Sequence, residues 1–136
     1  MSRPKFAYYR SVAHLRNVAS LPCQCCGAHG TQAAHSNESR MGKGRAIKAS
    51  DEFTAALCPR CHSLADASYS MTRAQREQMW QNAHEKTRAA LMLQGLWPFP
   101  CPACGNETYA SSGVTGSGLE YTVRKCIDCD WQSDPE

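Results

Sequence analysis

At 136 residues and a net charge of +3, the chain is long enough for one modest domain or two very small ones, and too nearly neutral for its global charge to dictate a partner. Hydrophobic residues make up 42%, but nine of that class are cysteines, so the conventional apolar core is thin and the fold needs staples. No window approaches a membrane span, and Met1-Ser2-Arg3-Pro4-Lys5 opens no continuous apolar run and does not resemble a secretory signal, so a cytoplasmic protein with no membrane partner is expected.

A first helix is expected over about residues 6–20, with Val12, Leu15, Val18 and Ala19 on its packed side and Pro22 ending it. Thr31–His35 and Phe53–Leu57 are short enough to be two strands. Between them lies a polar loop, Ser36 to Asp51, with Met41-Gly42-Lys43-Gly44-Arg45 at its middle. A helix then leaves the Cys58-Pro59-Arg60-Cys61 turn, because Pro59 suits a first helical position whose N–H would be unpaired anyway. Thr72-Arg73-Ala74-Gln75 has capping-box form and opens a long helix. Met79, Trp80, Ala83, Thr87, Ala90 and Leu91 recur on it at core spacing, and Gly95 is its stop. Pro98, Pro100 and Pro102 mark a stiff linker. From Cys101 onward a hairpin-like ribbon is expected, with its turn at Ser111 to Gly118 and a strand at Tyr121-Thr122-Val123. The division that follows is residues 1–96 and residues 97–136.

The cysteines carry the strongest signal. Cys23-x-x-Cys26 and Cys58-x-x-Cys61 form one set, and Cys101-x-x-Cys104 and Cys126-x-x-Cys129 form another, with Cys25 left over. Each C-x-x-C places two soft thiolates on a tight turn, which matches the tetrahedral preference of structural zinc. In a reducing compartment such pairs are metal ligands more readily than disulfides. Two structural zinc ions are therefore expected. Cys25 could replace Cys23 or Cys26, but only the 23/26 pair has the right spacing.

Charge is unevenly spread. Residues 1–50 hold eight basic groups (Arg3, Lys5, Arg10, Arg16, Arg40, Lys43, Arg45 and Lys48) against the single acid Glu38. Local clusters of this kind set phosphate affinity, so Arg40, Lys43, Arg45 and Lys48 in the loop are candidate DNA-backbone contacts. His62 and Asp66 stand four apart on the helix after the second knuckle and share a face. Two metal sites back to back would follow, thiolates serving one, imidazole and carboxylate the other. His14, His29 and His84 have no partner at ligand spacing and are read as structural or solvent-facing.

Strand, loop, strand and helix with thiolate pairs at both ends resembles the HNH, or ββα-metal, nucleases over about residues 20–70. The motifs are Cys23-x-x-Cys26-Gly27, then Ala34-His35, then Cys58-x-x-Cys61-His62-x-x-x-Asp66. Small phage and prophage members look closest, with their Gly/Lys-rich loop and an Asp seven residues before the second knuckle, here Asp51. Many members carry His where this chain has Asp66, and an acid or His where it has Ala34. The middle Asn-type position is matched by either Asn37 or Asp51.

The resemblance implies an α+β fold, a zinc-stapled ββα-metal domain with flanking helices and an added C-terminal zinc ribbon. It implies a metal-dependent endonuclease acting on DNA. In that reading His35 is the general base, with a ligand role as the alternative, and His62, Asp66 and Asp51 hold one catalytic divalent ion. Mixed nitrogen and oxygen ligation suits Mg²⁺, Mn²⁺, Ni²⁺ or Zn²⁺. Competing classes are a zinc-ribbon module that grips nucleic acid or a partner without cutting it, and a structural adaptor that uses the Thr72–Gln94 helix as a docking surface; the identity of any protein recruiter of the enzyme is not written in the sequence.

Overall fold

The computed structural model describes residues 7–134, so Arg3, Lys5 and the first residue of the expected N-terminal helix lie outside the described residues. The chain forms two compact units: Ser11–Trp97, and residues 98–134 together with residues 7–10. Each contains one two-stranded antiparallel sheet and one group of four cysteines, giving a mixed α+β protein.

In the first unit, helix α1 (Val12–Ala19) begins six residues later than the start expected at residue 6. Ser11 causes this: its hydroxyl accepts the His14 amide at 3.1 Å and caps the helix. Strands β1 (Gln32–His35) and β2 (Thr54–Leu57) pair with Gln32 opposite Leu57 and His35 opposite Thr54. The loop between them is not featureless. A single 3-10 turn occupies Ser39–Met41, and Gly44 and Ile47 close a tight turn through paired backbone bonds of 3.0 and 3.2 Å.

Helix α2 (Pro59–Ala67) starts at Cys58, whose sulfur accepts the Cys61 amide at 3.5 Å. Helix α3 (Arg73–Leu93) opens with the complete Thr72/Gln75 capping box. It closes on Gly95 at φ +70°, where Gly95 and Leu96 amides return to Met92 and Leu91 carbonyls at 3.1 and 2.8 Å, the Schellman pattern. Gly95 is there because a side chain would strain that left-handed backbone.

The inner face of α3 buries Trp80, Ala83, His84, Thr87 and Leu91. Its polar atoms bond directly to the strands. Trp80 Nε1 donates to Ala34 O at 2.9 Å, His84 Nδ1 donates to Thr54 O at 2.8 Å, and Thr87 Oγ1 accepts the Ala56 amide at 3.0 Å. A two-stranded sheet is marginal alone; here a helix supplies the partners a further strand would have given. His84 stacks on Trp80, with centroids 4.8 Å apart and planes 8° apart, and lies edge-on to Trp97, as does His14. His14 and His84 are thus structural, while His29 is exposed.

In the second unit, β3 (Thr108–Val114) and β4 (Glu120–Cys126) pair from Thr108–Cys126 to Val114–Glu120. The strands run further than expected, and the turn is 115–119 instead of beginning at Ser111. Ser111, Ser112 and Gly113 have turn-like composition, but cross-strand pairing overrides it: Ser112 meets the Thr122 hydroxyl at 3.3 Å, and the Tyr121 ring lies where a Cβ of residue 113 would be. Backbone at residues 7–8 crosses the first knuckle of this unit so closely that a Cβ on Gly105 would collide with the Tyr8 carbonyl. No helix among the described residues is long and apolar enough to cross a membrane.

Candidate functional site

The sulfurs of Cys23, Cys26, Cys58 and Cys61 lie within 4.8 Å of one another, as do those of Cys101, Cys104, Cys126 and Cys129. Backbone turns build both groups. Gly27 and Gly105 follow their knuckles at φ +81° and +82°, and their amides return to the Cys23 and Cys101 carbonyls at 2.8 Å. Amide N–H groups also point at sulfur: Cys26 to Cys23, Ala103 to Cys101 and Asp128 to Cys126, each at 3.4 Å.

Zinc–sulfur bonds of 2.3 Å at tetrahedral angles would separate the sulfurs by about 3.8 Å. The close pairs here are Cys26–Cys58 at 3.6 Å, Cys101–Cys129 at 3.7 Å and Cys104–Cys126 at 3.5 Å. Donor type and spacing therefore fit a tetrahedral zinc in each group. Cys25 is exposed and belongs to neither.

Within each group the protons are shared unequally. Burial pushes the Cys23 thiol up, but the backbone N–H groups of Cys26, Cys58 and Cys25 outweigh it and bring it down to about 6. Burial, then the neighbouring sulfurs of Cys58, Cys26 and Cys23, drive Cys61 far up. In the second group the Asp128 amide leads in lowering Cys126 to about 7. The Trp131 backbone pulls Cys129 down, but burial and the other three thiols outweigh it, raising it to about 12. Four neighbouring thiols cannot all ionise without a cation among them.

Beside the first group stand two polar pairs. His35 ends β1 half-buried, and its Nε2 lies 2.8 Å from Asp51 Oδ1. The other Asp51 oxygen accepts the Ser11 amide at 2.8 Å. Asp51, expected with His62 and Asp66, faces His35 instead. Extension of the β1–β2 pairing through Ser36 N to Phe53 O at 3.0 Å brings residues 51–53 back against the end of β1.

His62 and Asp66, one turn apart on α2, form the second pair, Nε2 to Oδ2 at 3.3 Å. His62 Nδ1 lies 2.8 Å from Gln32 Oε1, an oxygen that can only accept, so Nδ1–H donates there and Nε2 is the ring nitrogen that faces Asp66. Asn37, two residues past His35, donates Nδ2–H to Asp66 Oδ1 at 2.8 Å. Among the described residues, only the two cysteine groups gather three or more metal-ligating His, Cys, Asp or Glu side chains. His62 and Asp66 converge as two donors, and among the described residues no third protein ligand of those types joins them.

A family model described as "Protein of unknown function (DUF968)" matches residues 1–92. The chain belongs to the DUF968 family. No curated protein and no solved structure matches it. The DUF968 match covers the first cysteine group, both polar pairs and nearly all of α3, and leaves the ribbon outside.

In the basic loop of the DUF968 region, Arg40 is exposed but engaged with Glu38 through bonds of 2.9 and 3.2 Å. Arg45 and Lys48 are exposed and Lys43 half-buried, with Arg45 and Ala46 at the tip of the Gly44–Ile47 turn. Sequence reasoning missed Ser11, Gln32 and Arg76. Ser11 and Gln32 reach their partners across forty and thirty residues, and no local pattern marks such contacts. Arg76 looks like any helical arginine, yet it lines a cleft of about 290 Å³ shared with Asn37 and Asp66.

Proposed function

We propose that this chain is a metal-dependent DNA endonuclease built on a ββα-metal unit, with each four-cysteine group holding a structural zinc. The observation that carries it is the Asn37–Asp66 bond, which joins the segment bearing His35 to the helix face bearing His62 and Asp66. That brings a polarised imidazole and a two-donor cation position to the end of one hairpin.

The carboxylate of Asp51 accepts Nε2–H of His35, which fixes the ring and leaves Nδ1 as its basic nitrogen. His35 Nδ1 takes a proton from a water as that water's oxygen bonds to phosphorus. One phosphorus–oxygen ester bond breaks, and the leaving oxygen takes a proton from solvent. His62 Nε2 and Asp66 Oδ2 would hold a divalent ion, which would supply charge compensation at the phosphate. Two protein ligands suffice for a hard ion such as Mg²⁺, which keeps waters and phosphate oxygens in its shell. Asn37 and Gln32 hold the two ligands in place.

The second reading is a module that binds nucleic acid without cutting it. It is favoured by the restriction of fully gathered ligand sets, among the described residues, to the cysteine groups. Incubation of supercoiled plasmid with and without Mg²⁺ or Mn²⁺ separates the two: metal-dependent nicking supports the nuclease, and DNA retention without nicking supports the module.

A further inference from the structure

The cleft of about 290 Å³ is walled by Ser36, Asn37 and Glu38 after β1, by Ala65 and Asp66 on α2, and by α3 residues that include Arg76 and Trp80. Two of its three carboxylates are held by arginines. Glu38 is held by Arg40, and Glu77 by Arg73 at 3.0 Å. Asp66 is taken by His62 and Asn37. Arg76, half-buried, has no carboxylate at ion-pair distance among the described residues; its Nη1 donates to the carbonyls of Ser68 and Met71, both at 3.3 Å.

Those two carbonyls lie in the turn between α2 and α3, so the guanidinium is held in place at the cleft wall before any ligand arrives. The remaining N–H groups of an arginine form a rigid fork that suits two phosphate oxygens. The cleft has about the room of ten waters, enough for one sugar and its phosphate and far too little for a duplex. It opens on Asp66, the proposed ligand of the catalytic ion.

We infer that Arg76 anchors the phosphate next to the scissile one, with the attached sugar lying in the cleft against Ala65 and Trp80. The inference rests on the nucleic-acid reading of the same site and deepens it. A nucleic-acid backbone then meets the protein in two places: the positive charges of the 36–51 loop, and a pre-positioned guanidinium beside the reacting phosphate. A fixed contact of that kind sets which bond is presented to His35, so its effect on turnover exceeds its effect on affinity.

The test is binding of a short DNA duplex of arbitrary sequence, in buffer without divalent metal, by the full-length wild type and Arg76→Gln at several salt concentrations. Gln keeps a donor for the Ser68 and Met71 carbonyls and removes the charge. Loss of the Arg76 contact should lower the salt slope by about one unit equally for unrelated sequences. If Arg76→Gln does not fold, the Arg76 Nε–H NMR signal of wild type, followed as the same duplex is added, reads the contact directly and should shift. A full salt slope in Arg76→Gln, or an unmoved signal while the duplex binds, overturns the anchor and leaves the nuclease reading standing if plasmid is still nicked. A lowered slope in a protein that never nicks keeps Arg76 as a backbone contact but overturns its place beside a scissile phosphate together with the nuclease. No duplex binding by wild type overturns both.

Discussion

Asp51 links His35 to the N-terminus of α1: one carboxylate oxygen lies 2.8 Å from His35 Nε2 and the other accepts the Ser11 amide at 2.8 Å. With both oxygens engaged and only 4% of the residue exposed, Asp51 is placed to orient the His35 ring. Asp51→Asn should keep the fold, lose about 1 kcal/mol of stability, and slow cleavage by roughly 10²–10⁴-fold through loss of ring orientation. Single-turnover cleavage with a thermal melt checks this. Cleavage at the wild-type rate would show that the pair is structural only.

Zinc content follows from the two cysteine groups. Protein purified without added metal should carry two zinc ions per chain by elemental analysis. Cys58→Ser should cost folding, because binding energy at such sites is folding energy, whereas Cys25→Ser should leave both metal content and melting unchanged. Because thiols such as Cys61 and Cys129 must give up protons to bind, zinc should be released progressively as pH falls. Disulfides in place of zinc would contradict the reading.

A second pH dependence arises in the core of the first unit. Burial lowers His84, which stacks on Trp80 and donates to Thr54 O. The unfolded chain binds a proton at His84 near its ordinary value of 6.5, and the folded chain does not until lower pH. That stability is complete above 6.5 and is lost as pH falls below it, by at most about 1.4 kcal/mol per pH unit for one group. Melting followed from pH 7.5 to pH 5.5 with zinc retention monitored should show the loss. His84→Gln should flatten it; an unchanged slope would assign the proton uptake elsewhere, with buried His14 the next group to replace.

The loop charges should act as a set. Replacing Arg45 and Lys48 with Ala should weaken DNA binding about equally for unrelated sequences and reduce the salt slope by about one unit per lost contact. Arg40→Ala should change it less, because Glu38 already holds that guanidinium. Equal effects from all three would mean that DNA displaces Glu38.

Much of the scaffold was legible because it is encoded locally. C-x-x-C spacing specifies the knuckles, Thr72 and Gln75 specify the start of α3, and the Trp80–Leu91 stripe specifies its buried face. Local pattern and structure part where long-range contacts decide. The N-terminal segment has the pattern of a helix from about residue 6, yet Ser11 starts α1, and the Ser111–Gly113 stretch has the composition of a turn, yet β4 pairs with it. His35, His62 and Asp66 were legible as chemistry-bearing residues. The partner of Asp51 was not, since it depends on how the loop closes over sixteen residues.

Cleavage rate against Mn²⁺ concentration, at fixed DNA, for wild type, His35→Ala, His62→Ala and Asp66→Ala is the most direct measurement. His35→Ala should fall by roughly 10²–10⁴-fold and stay low at saturating metal, because a lost base is not replaced by more cation. His62→Ala and Asp66→Ala should need more metal and recover much of the rate, Asp66→Ala the more fully, since water can stand in for a carboxylate oxygen. Full activity of either His35→Ala or His62→Ala at saturating metal would place the chemistry elsewhere and leave the chain as a binding module.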